Sequence, residues 1–168
     1  MTRPHVTRAR GLASGSPPWR GWWTAVLLAA VTPVAAACGA TAPGPPAIVV
    51  DRTACSHCGM LVSEPMYAAA YHVAGREPRV FDDIGCLIDA ARSETTPPIA
   101  FWFHDAAGGG WTSGETAIFV VSPDLRTPMG AGVLAYADAA AAQAAAAALE
   151  GEIVRTLPEL LARQGAPR

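Results

Sequence analysis

The sequence predicts an α+β body in which two ββαβ units pack as one, placed behind an N-terminal export signal and a flexible tether. Three observations lead there. Strand-like, turn-like and helix-like stretches follow one another in the order ββαβ, and that order then repeats. An aspartate stands ahead of the helix in each half, Asp82 or Asp83 in the first and Asp138 in the second. The first 46 residues lack this patterning and have a different composition. At 168 residues the chain is sized for one domain, large enough to bury a real core.

Residues 1–20 carry four arginines and no acid, and an apolar run follows at 22–31. These are the charged and apolar regions of an export signal, and the run is too short for a membrane span of roughly 20 residues. Ala35, Ala36 and Ala37 then lead into Cys38. This resembles the lipobox of bacterial lipoproteins, with Ala35 where leucine is usual. The expectation is a signal over 1–37 and lipidation of Cys38, which anchors the protein to a bacterial membrane facing the periplasm or the cell exterior. Ordinary cleavage after the alanines, or an uncleaved anchor, would give the same compartment.

Residues 38–50 form the expected tether, rich in proline and glycine up to Pro46. From Cys38 onward the chain has eight arginines, no lysine and fourteen acids, a net charge of −6 with histidines neutral. An acidic body without clustered basic residues is excluded as a nucleic-acid binder.

The body, 51–168, then reads in order. Residues 66–73 are strand-like, Gly75 to Pro78 turn the chain, and 79–81 start a second strand. Ile84, Leu87, Ile88 and Ala91 fall on one face of a helix over 84–92. Pro97-Pro98 stops it, and 99–104 is a third strand. After a glycine-rich break at 108–110, strands are expected at 116–122 and 133–136, with a loop over 124–132 between them. Asp138 caps an alanine-rich helix over 139–150, Gly151 ends it, and 152–155 returns as a strand. A short helix at 158–163 follows. The alanine helix has good propensity and thin side chains, so it is expected to lie close against a sheet.

The chemistry is concentrated in Cys55-Ser56-His57-Cys58-Gly59-Met60. Thiolate, imidazole and thioether are donors for soft or borderline metals, and thiolate with thioether favours Cu(I). Gly59 permits a tight turn that would let Cys58 and Met60 share a centre. With Cys38 assigned to the anchor, Cys55, Cys58 and Cys86 remain, an odd number that argues against a pure disulfide scaffold. Three readings of Cys55 and Cys58 compete. A thiol–disulfide oxidoreductase would place the pair at a helix start, and none is evident here. A structural Zn site with Cys86 and a histidine is allowed by the spacing but leaves the thioethers unused. Soft-metal binding uses them. Cys86, in the first turn of a helix, is a further candidate thiolate whose pKa the helix N-terminus is expected to lower.

Cys55-x-x-Cys58-Gly59-Met60 after a tether, Phe81-Asp82-Asp83-Ile84-Gly85, and Thr127-Pro128-Met129-Gly130 ahead of Leu134 and an alanine-rich helix together resemble the NosL family. The resemblance spans Asp51 to about Leu157. It implies a monomeric Cu(I) carrier outside the cytoplasm, tethered by a lipid, that serves nitrous oxide reductase or its maturation machinery. It implies a two-part ββαβ fold akin to the core of organomercurial lyase. Cys58 and Met60 match the family's C-G-M and Met129 its T-P-M-G, with Cys55 as a second thiolate or the disulfide partner of Cys58 in the empty site. An imidazole should join them. His57 is nearest in sequence, and His72 and His104 are the alternatives. No general base, nucleophile triad or phosphate loop is visible, so a carrier rather than an enzyme is expected. An exported thiol oxidoreductase, or a lyase-like enzyme using Cys58, Cys86 and an aspartate, would be the rivals.

Overall fold

Two strand–strand–helix–strand units share a single seven-stranded sheet. The computed structural model describes residues 43–163, so the signal at 1–37, Cys38 and the start of the tether lie outside the described residues. The first unit comprises β1 (Ala69–His72), β2 (Arg79–Phe81), α1 (Ile84–Ser93) and β3 (Ala100–Asp105). After β4 (Gly110–Ser113), the second comprises β5 (Ile118–Val121), β6 (Val133–Tyr136), α2 (Ala139–Ala148) and β7 (Glu152–Val154). Helix α3 (Leu157–Arg163) follows.

In each unit the first strand is central. β1 pairs antiparallel with β2 and β3, and β5 pairs antiparallel with β6 and β7. The units meet where β3 runs parallel to β6 at Asp105↔Ala135. Backbone alternation explains the join. The N–H groups of His104 and Ala106 point to the same edge of β3, one bonding the Ala68 carbonyl at 2.9 Å and the other the Ala135 carbonyl at 2.8 Å. β3 therefore leaves β1 and picks up β6 within two residues.

The element order matches the sequence pattern, with three differences. β4 forms opposite β3, with Trp111 across from His104, in a stretch that reads as a glycine-rich break. Residues 65–67 form a 3-10 turn with Pro65 at its start, because proline presets φ for a helical turn, and the first strand is correspondingly shorter. The last part of the expected tether, 43–50, runs along the body. Trp102 Nε1 donates to the Pro43 carbonyl at 3.1 Å, and Ile48 packs against the Val62, Ala68 and Val80 cluster.

One face of the sheet carries the main core. Tyr71, Phe81, Phe103 and Phe119 are fully buried there with Ile84, Leu87 and Ile88 of α1 and Leu160 of α3. Each such side chain contributes roughly 1.5–3 kcal/mol. Phe103 and Phe119 stand edge-to-face at 4.9 Å and tie the two units together. On the opposite face α2 lies on Val120, Leu134 and Tyr136 through Ala142 and Ala146. Its alanines allow that close approach. Among the described residues no helix is long and apolar enough to cross a membrane.

Candidate metal centre

Residues 53–62 fold into a short hairpin that brings the C-x-x-C-G-M stretch back on itself. Val62 N donates to Thr53 O at 2.9 Å, Ala54 and Leu61 form an antiparallel bridge, and Cys55 N donates to Met60 O at 2.7 Å. Gly59 N closes the tip on Cys55 O at 3.0 Å, with Gly59 at φ 79°, a left-handed conformation that glycine adopts without a Cβ penalty. The tip is docked on the sheet edge, Ser56 N donating to Val80 O and Arg79 Nη2 to Ser56 O, both at 2.8 Å. Arg79 is itself held by Glu94 at 2.6 Å and by the Tyr71 hydroxyl at 2.9 Å.

This docking sets the hairpin over the junction of β2 and α1. The Sγ atoms of Cys55, Cys58 and Cys86 and a carboxylate oxygen of Asp82 all lie within 4.8 Å of one another. The three thiols are free rather than bridged. Cys55 and Cys86 are each 3% exposed and Asp82 is 2% exposed, whereas Cys58 is half-buried and forms the mouth. The Cys58 thiol donates to Asp82 Oδ1 at 3.5 Å. Asp82 Oδ2 is buried and has no hydrogen-bond partner among the described residues.

The electrostatics favour protonated thiols. Burial raises the Cys55 thiol pKa, and its hydrogen bond with Asp82 raises it further, partly offset by backbone bonds at Cys58, Asp82 and His57. Cys86 is raised far above a normal thiol, by burial first and then by Cys55, Asp82 and Cys58. The expected lowering by the N-terminus of α1 is thus reversed, because desolvation and three crowded neighbours outweigh the helix dipole. Cys55 and Cys86 are therefore neutral thiols at pH 7. A soft cation could take their place and satisfy the sulfurs together.

Asp82 and Asp83 face in different directions, as consecutive residues in extended backbone do. Asp82 joins the thiols. Asp83 caps α1, accepting from Gly85 N at 2.7 Å. Its other oxygen accepts from Thr127 Oγ1 at 2.6 Å and Met129 N at 2.8 Å. The loop bearing Met129 is thereby moored to the first turn of the helix that carries Cys86. Met60 is 51% exposed on the hairpin and Met129 42% exposed on that loop.

No histidine joins the cluster among the described residues. His57 is exposed at the hairpin tip. His72 and His104 alternate with Tyr71 and Phe103 along their strands and so point to the other face of the sheet, where His104 meets Trp111 edge-to-face at 5.4 Å. The member that the sequence does not single out is Asp82, because either of two adjacent aspartates can serve as the helix cap.

Residues 46–157 match the family model described as NosL. Among solved structures the chain is similar to the copper chaperone NosL from Shewanella denitrificans, known from its crystal structure. The TM-score is 0.56 and the identity 18%, over 69% of this chain and 99% of that one, a likeness of fold. No curated protein matches significantly. Because the family model covers two thirds of its length, the chain belongs to the NosL family.

Proposed function

We propose that the protein is an exported Cu(I) carrier, anchored through a lipid on Cys38, that delivers copper for the assembly of nitrous oxide reductase. The observation that carries this reading is the trio of unbridged thiols within 4.8 Å, two buried and one at the mouth, in a member of the NosL family. Family membership supplies the copper assignment, and thiolate with thioether is the donor set Cu(I) prefers. Cys55, Cys58, Met60 and Met129 are the proposed ligands, with Cys86 an additional thiolate and His57 the available imidazole. Copper is the cargo, and the protein acts by ligand exchange rather than by catalysis. Cys58, the accessible thiol, is the sulfur through which copper arrives and leaves. A partner donor replaces one protein ligand at a time, so few bonds break at once. The mature carrier acts as a monomer at the membrane surface, and its partner is nitrous oxide reductase or its maturation machinery.

The test is restoration of the reductase's copper content in a denitrifying host deprived of its own NosL. The native chain should restore it and Cys58→Ser should not. Equal restoration by both would contradict the role given to Cys58. One observation favours a second reading. Asp82 supplies an oxygen donor among three thiols, a set that also suits a closed tetrahedral Zn(II) site. Metal preference separates the two.

A further inference from the structure

We infer that Asp83 is a positioning residue of the metal centre, whose carboxylate fixes the Met129 loop to the helix that carries Cys86. The inference rests on the copper reading above. Asp83 is 1% exposed, and its two oxygens serve two different elements. Oδ1 accepts from Gly85 N, which is all that capping α1 requires. Oδ2 takes two further bonds, from the Thr127 hydroxyl and the Met129 amide, which lie 44 and 46 residues further along the chain. Nothing in helix capping calls for those bonds. Their effect is to hold the loop.

The loop is shaped around that anchor. Gly130 N donates to Thr127 O at 3.0 Å, closing a turn with Pro128 and Met129 at its centre, and Gly132 N donates to Thr127 Oγ1 at 3.3 Å. A second contact fixes the spacing. A β-carbon added to Gly85 would lie 2.5 Å from Ala131 Cβ, so the loop packs directly on the first turn of α1. Met129 thus has a fixed backbone and a side chain left 42% exposed. A ligand held this way binds without the entropic cost of ordering its loop. Groups that orient metal ligands typically matter 10–100-fold in affinity.

Asparagine at this position separates the two tasks. One carbonyl oxygen remains and can still cap α1, but the amide nitrogen then faces the Met129 N–H and leaves it without an acceptor. Thr127→Val is the gentler variant, since it leaves the cap and the Met129 N–H bond to Asp83 intact and removes only the hydroxyl's bonds to Asp83 and from Gly132 N. The experiment compares the purified exported protein with Asp83→Asn, Thr127→Val, Met129→Ala and the Asp83→Asn/Met129→Ala double variant. Cu(I) affinity is read by competition with a chromophoric chelator, and the methionine methyl groups are followed by 13C NMR in the metal-free protein. Asp83→Asn should weaken Cu(I) about 10–100-fold. In the Met129→Ala background the same change should cost at most a few-fold, because its effect is carried by the thioether. The Met129 methyl resonance should move toward that of free methionine in Asp83→Asn, and part of the way in Thr127→Val. Equal losses with and without Met129, or an unmoved Met129 methyl in both variants, would overturn the inference. If the unaltered protein takes up no Cu(I) while Asp83→Asn still releases the Met129 methyl, the copper reading fails and the mooring by Asp83 stands. Should Asp83→Asn fail to fold, Thr127→Val in the two backgrounds decides by the same comparison.

Discussion

Copper loading should release protons in a number that counts the buried thiols among the ligands. Burial raises both the Cys55 and Cys86 thiols above their ordinary value of 9.0, helped by the Asp82 hydrogen bond at Cys55 and by neighbouring charge at Cys86, so both are protonated in the metal-free protein at pH 7. Each one that becomes a thiolate ligand gives up a proton, whereas Met60 and Met129 give up none. Below the thiol pKa the apparent affinity therefore rises about tenfold per pH unit for each such proton, or about 1.4 kcal/mol. With both Cys55 and Cys86 bound, those two residues contribute a slope of about two in log K against pH. Cys86→Ser should lower the total slope by about one and Cys86→Ser/Cys55→Ser by about two. The assay is Cu(I) competition between pH 6 and 8 under anaerobic reducing conditions, with proton release followed in weakly buffered solution. An unchanged slope in Cys86→Ser would remove Cys86 from the ligand set, and no change in the double variant would place the metal away from the cluster.

Further outcomes follow from the same contacts. Gly85→Ala should destabilise the protein, although alanine is favoured over glycine inside a helix by roughly 0.8–1 kcal/mol, because its β-carbon would meet Ala131 Cβ at 2.5 Å. The double change Gly85→Ala/Ala131→Gly should recover the loss in thermal melts, and failure to recover would mean the contact is not limiting. Arg79→Ala removes bonds to Glu94, Tyr71 and the Ser56 carbonyl from a guanidinium about one-third exposed, for a cost of roughly 2 kcal/mol. A calorimetric shift under about 2 °C would show that this network contributes little. Alkaline pH should also weaken the metal-free protein. Above pH 9 the unfolded chain loses thiol protons that folded Cys55 and Cys86 retain, so their contribution is whole below pH 9 and declines above it. The slope is about 1.4 kcal/mol per pH unit per thiol, and Cys86→Ser should flatten it in denaturant titrations at pH 8–10.5.

The elements legible in the sequence were those whose signal is local. Ile84, Leu87 and Ile88 announce α1 by their spacing, Asp138 announces the start of α2, and both proved to sit as their patterns require. β4 was illegible because Gly110-Trp111-Thr112-Ser113 has strand character only once β3 lies beside it. The docking of 43–50 is of the same kind, since a proline-rich stretch reads as tether until Trp102 offers an indole N–H to the Pro43 carbonyl. At the site, Cys55 and Cys58 stand out through their spacing. Asp82 did not, because choosing between two adjacent aspartates needs the direction of each side chain. The bond from Met129 to Asp83 spans 46 residues and leaves no periodic trace. The direction of the Cys86 shift was misjudged for a related reason. A helix N-terminus is visible in sequence, but the crowding of two other thiols and a carboxylate is a property of the fold.

Metal preference is the most direct test of the account. The purified protein, reduced and free of oxygen, would be titrated with Cu(I) and with Zn(II) against chelators of known affinity, alongside Cys58→Ser and Met129→Ala. The account predicts one Cu(I) bound more tightly than Zn(II), weakened by both substitutions. Preference for Zn(II), with Met129→Ala without effect, would contradict it and make the three thiols and Asp82 a structural centre.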